Sequence, residues 1–267
     1  MATSREIEEQ KTLPQKSYST ILCQEILAAL NELKRPISGL FISSLSAGLV
    51  IGFGLLMMAT MLTTVAGTFS KPIIHILLSG MYSIGFVLVI IGRSELFTEH
   101  TTLAVLPVLD RRASLIQLLR LWGIVFAGNI TGATVFTIII TWISPVLGIV
   151  EPWAFIEIAR SLLDHDVWVI FVSAIFAGWL MGELTWLLAA GRDTISQVFL
   201  VCLVTSTIGF LNLHHSIAGT VEVLSGVIMS PDIHLLDFGR FLLVTTIGNA
   251  FGGVIFVALI KYAHAVK

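Results

Sequence analysis

Charge is scarce in this sequence. Only 12% of its 267 residues are Asp, Glu, Lys or Arg, where soluble domains carry roughly 25%. With 56% hydrophobic residues and a mean hydropathy of +0.95, too little polar surface remains to coat a globule in water. Cysteine is almost missing. Cys23 and Cys202 lie far apart, which excludes both a disulfide framework and a metal-ligand spacing built on them. A basic excess is also missing: the net charge is -2, and no Lys/Arg stripe exists to neutralise phosphates, so a nucleic-acid partner is excluded. The N-terminus carries Arg5, Glu6, Glu8, Glu9 and Lys11 and lacks an early apolar run, so no cleavable signal peptide is expected.

What the chain does have is long apolar runs. A membrane helix needs about 20 mostly apolar residues. That ruler predicts an all-α membrane protein with six transmembrane segments: Ile37–Thr64, Ile73–Leu109, Leu115–Ile143, Val167–Ala190, Thr194–Ile228 and Phe241–Ala263. The second and fifth runs are too long for one straight span and have polar interruptions. These are Gly92-Arg93-Ser94-Glu95-Leu96-Phe97-Thr98-Glu99-His100 and Asn212-Leu213-His214-His215-Ser216. Over-long, interrupted runs predict broken helices. Residues 36–264 are expected to form the six-helix transmembrane transport domain. Residues 1–35 are expected to be a cytoplasmic segment with an amphipathic helix around Ile21–Leu33.

Lys34, Arg35, Arg111, Arg112, Arg192, Lys261 and Lys267 fall on one side of a six-span chain. Glu151, Glu157, Asp164, Asp166, Asp232 and Asp237 dominate the other, against Lys71, Arg160 and Arg240. The positive-inside rule then places both termini in the cytoplasm and the chain in the inner or plasma membrane.

An internal repeat is visible. Gly128-Asn129-Ile130-Thr131-Gly132 in the third run returns as Gly248-Asn249-Ala250-Phe251-Gly252 in the sixth, and the same offset of about 120 carries Glu95 onto His215. Three spans per half is an odd number, so the halves are expected to insert with opposite orientation, as an inverted 3+3 repeat with the solute path between them.

Ionisable groups at membrane depth are costly and face the protein interior. His214 and His215 in the fifth-span break can meet an anion or lend a proton to a weak acid; alternatively each is a structural imidazole bonded to a neighbouring carbonyl. Glu95 is expected to cap a half-helix. Leu96, Phe97 and Tyr82 are bulky enough to narrow a pore, or they simply pack, while Thr98 offers a hydroxyl. Glu183, mid-way along the fourth run, is a further path candidate and is expected to pair with one of the histidines. His214, His215, Glu222 and Glu95 make no metal box, because adjacent helical residues point apart. Neither a metal nor a cofactor is expected, and no nucleophile constellation marks an enzyme.

From about Pro36 to Ala263 the chain resembles the formate–nitrite transporter family. The likeness rests on Tyr82-Ser83-Ile84-Gly85 leading to Glu95-Leu96-Phe97-Thr98, on Asn129 and Gly132, and on His215-Ser216-Ile217-Ala218. The resemblance implies an aquaporin-like protomer with helices two and five broken, assembled as a homopentamer in the lipid bilayer. It also implies a pore in each protomer for small monovalent anions such as formate, nitrite or hydrosulfide. By position it makes His215 the pore histidine, Leu96, Phe97 and Thr98 the loop of broken helix two, Tyr82 and Phe86 constriction residues, and Ile208 the other apolar constriction. The chain departs from the family pattern at Asp166, where a lysine marks the outer mouth, at Gly182-Glu183, where an asparagine faces the pore, at His214, and at Gly219. The expected function is a channel or proton-coupled transporter for a weak-acid anion. The alternatives are a pore for a neutral or cationic solute, and a non-conducting scaffold or sensor on the same fold.

Overall fold

The computed structural model describes residues 15–266 and is all-helical over that range. Residues 1–14, which include the charged stretch Arg5–Lys11, and Lys267 lie outside the described residues. Helix α1 (Tyr18–Lys34) starts at Ser17, whose side chain accepts from the Thr20 amide, and stops before Pro36. Pro36 cannot continue a helix and opens α2 (Ile37–Val65) instead. The second apolar run becomes three pieces: α3 (Lys71–Ile91), the half-helix α4 (Phe97–Leu103) and one turn, α5 (Leu106–Leu109). After α6 (Leu115–Val146), begun by a Ser114–Gln117 capping box, come α7 (Pro152–Leu163) and α8 (Val167–Ala190). The fifth run splits into α9 (Thr194–Phe210) and the half-helix α10 (Ser216–Met229). The chain ends with α11 (Leu235–Phe251), a π-helical segment over Gly252–Leu259, and α12 (Ile260–Val266).

Among the described residues, five helices are long and apolar enough to cross a membrane: α2, α3, α6, α8 and the continuous Leu235–Ala265. The fifth run supplies no single span, because α9 and α10 are each too short alone. The first break is tighter than its polar stretch and the second is shifted by one residue: helix resumes at Phe97 and at Ser216, so the backbone is irregular only over residues 92–96 and 211–215. In the same way the last run begins at Leu235 rather than Phe241.

Helix α7 was not visible to a 20-residue apolar ruler. It buries Ala154, Phe155, Ile158, Ala159 and Leu162 and exposes Trp153, Glu157 and Arg160, the pattern of a helix lying against the bundle. Its apolar face packs on α10. Helix α1 likewise buries Ile21, Leu22, Ile26, Ala29 and Leu33 in the core shared with the membrane helices.

Two helix pairs, α2 with α6 and α8 with α11, meet backbone to backbone at glycines. A Cβ at Gly48 would collide with the carbonyl oxygen of Asn129, and one at Gly178 with that of Asn249. Only glycine lets these backbones approach so closely. Gly178→Val should lower the thermal midpoint of the detergent-solubilised protein, at a cost of about 3 kcal/mol or more, because the obstacle is backbone and cannot rotate away. The control Gly80→Ala meets nothing within 4 Å and should leave the midpoint within a degree or two.

Candidate functional site

The two breaks are built alike. Each long half-helix ends and the chain turns through one left-handed residue, Arg93 (φ 56) or Asn212 (φ 50). Each then runs extended, through Leu96 (φ -105, ψ 128) or His215 (φ -107, ψ 127), into a short half-helix. In a bilayer the freed amides and carbonyls must find partners inside the protein. One asparagine per break supplies them. Asn129 accepts from the Phe97 amide at 2.8 Å and donates to the carbonyls of Ser44 and Glu95, both at 2.8 Å. Asn249 accepts from the Ser216 amide at 2.8 Å and donates to the carbonyls of Ala174 (2.8 Å) and His214 (3.0 Å). A serine completes each clamp: Ser43 accepts from the Glu95 amide and Ser173 from the His214 amide, both at 3.2 Å.

This pairing corrects one expectation. The partner of Glu95 is His214, and that of His215 is Leu96, an offset one residue shorter than the asparagine motif. Glu95 also caps no half-helix. Its carboxylate meets Arg35 Nη1 at 2.7 Å and His100 Nε2 at 2.5 Å, and no side chain caps α4.

The side chain that does cap is His215. Its Nδ1 accepts from the amides of Ile217 and Ala218, both at 3.2 Å. With Nδ1 occupied by two donors, the ring proton belongs on Nε2, which donates to Thr98 Oγ1 at 2.9 Å. The Thr98 hydroxyl hydrogen is then left free for a third group. Thr98 and His215 thus bring the two breaks into direct contact, 0% and 1% exposed respectively. Phe86 presents its ring edgewise to His215 at 5.1 Å, and Tyr82 stands 5.1 Å from Phe86. Leu96 and Ile208 are fully buried. Phe97 turns to Trp122 and Phe126 and belongs to the packing around α6.

A cavity lies on either side of this plug. The first, about 600 Å³, is lined by Ile90 and Ile91 at the end of α3, by Glu95, Glu99 and His100, and by α1. The second, about 620 Å³, is lined by His75, Leu78 and Ser79 from the other end of α3, with Lys71, Gly209 and Asn212. Along α3, Tyr82 and Phe86 fall between the two, and the Tyr82 ring lies against Gly209.

Three other candidates sit apart from this centre. His214 is fastened between α7 and α8, with Nε2 on the Leu162 carbonyl at 3.0 Å and Nδ1 on Ser173 at 2.8 Å, its ring edge-on to His165. Glu183 pairs with Lys261 at 2.9 Å rather than with a histidine, and Lys261 also lies over Trp186. Asp166 occupies the exposed N-cap position of α8 without a capping bond and lines neither cavity. Among the described residues no three His, Cys, Asp or Glu side chains converge as a metal site. The sequence reading did not single out Ser43, Ser173, Arg35 as a partner of Glu95, or Glu25. A signal for the serines exists in Ser43-Ser44-Leu45-Ser46-Ala47-Gly48 and Ser173-Ala174-Ile175-Phe176-Ala177-Gly178.

An all-helical membrane protein whose two helix breaks meet between facing cavities has the build of a channel. The family model described as Formate/nitrite transporter matches residues 20–263, and the chain belongs to that family, one of channels and transporters and not of enzymes. It is 32% identical over 236 residues to the inner membrane protein YfdC of Escherichia coli, covering 87% of this chain and 74% of that one. Among solved structures it is similar to an "FNT family ion channel" (TM-score 0.82, 21% identity, 91% of this chain and 98% of that one). It is also similar to a "pentameric formate channel with formate bound" (TM-score 0.75, 22% identity, 86% and 98%).

Asn249→Ala would leave the Ser216 amide and the His214 carbonyl of the break unpaired in a dry interior, costing about 3 kcal/mol or more. The expected readouts are a lowered thermal midpoint and faster amide exchange at the start of α10. Unchanged exchange there would show that the clamp does not hold the break.

Proposed function

We propose that this protein is a membrane pore for small monovalent weak-acid anions, of the formate, nitrite or hydrosulfide kind. The observation that carries the reading is the bond between Thr98 and His215, made by the two breaks midway between two cavities. A single free donor enclosed by Phe86, Tyr82, Leu96 and Ile208 meets a solute stripped of water and offers it the Thr98 hydroxyl in return. A small anion accepts that hydrogen bond. A weak acid can also cross this apolar plug neutral, having taken up a proton, which avoids burying a charge in the dry centre.

In this reading residues 36–264 make six spans in two inverted halves, with α3–α4 and α9–α10 as the broken second and fifth spans. The matched clamps of Asn129–Ser43 and Asn249–Ser173 support it. Residues 1–35, with α1, lie on the cytoplasmic side, as do both termini, in the inner or plasma membrane. The assembly is a homopentamer, as in the pentameric formate channel whose fold the chain shares. His215 and Thr98 form the central station, Tyr82, Phe86, Leu96 and Ile208 the constrictions, and Glu183, Asp166, His214 and Phe97 support the surrounding structure. A second reading, passage of a cationic or neutral solute, draws on one observation: the first cavity is lined by four glutamates.

The test is stopped-flow flux of formate, nitrite and hydrosulfide into proteoliposomes across a pH series. Thr98→Val removes one hydrogen bond, about 1–1.5 kcal/mol, and should slow anion flux about tenfold. His215→Asn should change the pH profile. Wild-type flux of all three anions no faster than in empty liposomes would sink the anion reading, and ammonium or glycerol flux would then favour the second.

A further inference from the structure

The four glutamates of the first cavity are not equivalent. Glu25 and Glu32 come from α1, Glu95 from the break and Glu99 from α4. Arg35 holds Glu32 and Glu95, each at 2.7 Å, and His100 takes the other oxygen of Glu95. Among the described residues, Glu25 and Glu99 form no ion pair and no side-chain hydrogen bond. Glu25 is only 8% exposed, so its carboxyl is largely withdrawn from bulk water and borders the cavity. His100, 2% exposed, lines the same cavity and has an unpartnered Nδ1. A space edged by two unpaired carboxyls, with an orphan nitrogen buried in its wall, calls for a group that neutralises.

The other groups facing this space are few. From the α1 side comes the committed pair Glu32 and Arg35, while Lys16, bonded to the Ala189 carbonyl, lies outside the lining and acts on Glu25 through its charge. The break adds Arg93, Glu95 and His100. The α8 and α9 walls contribute Thr185, Thr194 and Gln197, which do not titrate. Two ionised carboxylates in one poorly hydrated space repel each other and each lacks solvent, and one proton relieves both costs.

We propose that Glu25 and Glu99 hold one proton between them and act as a proton-exchange station at this end of the path, trading that proton with a weak acid in the cavity. The exchange with solute rests on the pore reading above; the proton site itself rests on the cavity. In the exchange a carboxyl O–H bond breaks as an O–H or S–H bond forms on the anion. The pair is left as two carboxylates until a proton returns from bulk water or from a neutral acid arriving through the plug. Burial first, and then the Glu99 carboxylate, push Glu25 up to about 8, with Lys16 opposing. A carboxyl raised in the folded chain favours folding most below the ordinary carboxylate range, and that contribution fades as pH rises toward about 8.

The full-length protein is tested by infrared difference spectra across a pH series, for wild type, Glu25→Gln and Glu99→Gln. The expected result is a protonated-carboxyl band that disappears in Glu25→Gln and whose midpoint falls by about one pH unit in Glu99→Gln, because the neighbouring charge is gone. The thermal midpoint of the wild type should decline as pH rises from about 5 to about 8, and Glu25→Gln should flatten that slope. No band that Glu25→Gln removes, or a midpoint that Glu99→Gln leaves in place, overturns the proposal. In proteoliposomes the pH midpoint of formate uptake should move in both variants. Formate uptake with an unmoved profile overturns the exchange. The infrared shifts without any formate flux by the wild type would keep the proton site while removing the pore reading.

Discussion

The structure depends on satisfying backbone that has been taken out of helical register inside a hydrocarbon slab. A straight helix needs no help there, whereas a broken one exposes amides and carbonyls that water cannot reach. Asn129 and Asn249 each meet two such groups and one carbonyl of an intact neighbouring helix, at 2.8 to 3.0 Å. The amide side chain suits this task because it carries an acceptor and two donors without a charge. The glycines at 48 and 178 bring the neighbouring backbone within reach of the same asparagines. The clamp and the close helix packing are therefore one device, and the contact between Thr98 and His215 is its product.

The electrostatics divide along the path. At the centre, His215 is committed through Nδ1 to two backbone amides and through Nε2 to Thr98, so the imidazole is fully bonded and the Thr98 hydroxyl hydrogen is the donor left over. In the first cavity, by contrast, Arg35 and four glutamates share one space with His100. Charge is confined to where some water reaches, and the dry constriction carries only hydrogen bonds, so no uncompensated ion is buried at the plug.

The membrane class, the two breaks and the asparagine repeat were legible because they follow from run length and from polar residues in apolar surroundings. Helix α7 was not, since its amphipathic pattern is 12 residues long and falls below any spanning ruler. The one-residue slip between Glu95 and His215 was hidden for a different reason. The asparagines repeat at 120, the breaks they clamp at 119 and the serines at 130, so no single offset aligns the halves. Partners of charged groups were the least legible part. Arg35 reaches Glu95 across 60 residues and Lys261 reaches Glu183 across 78, and these distances are set by packing alone.

One contact bears on the order in which the molecule is made. The Tyr18 hydroxyl donates to the carbonyl of Lys261, 243 residues later, and the Tyr18 ring lies between Trp186 and His264. The first described helix therefore has no completed seat until the last described one has been inserted. Before then α1 has only part of its seat, the part supplied by α4, α5, α6 and α8. Closure of the chain ends is thus a late event, and it completes the wall of the first cavity only when everything between is already in the membrane.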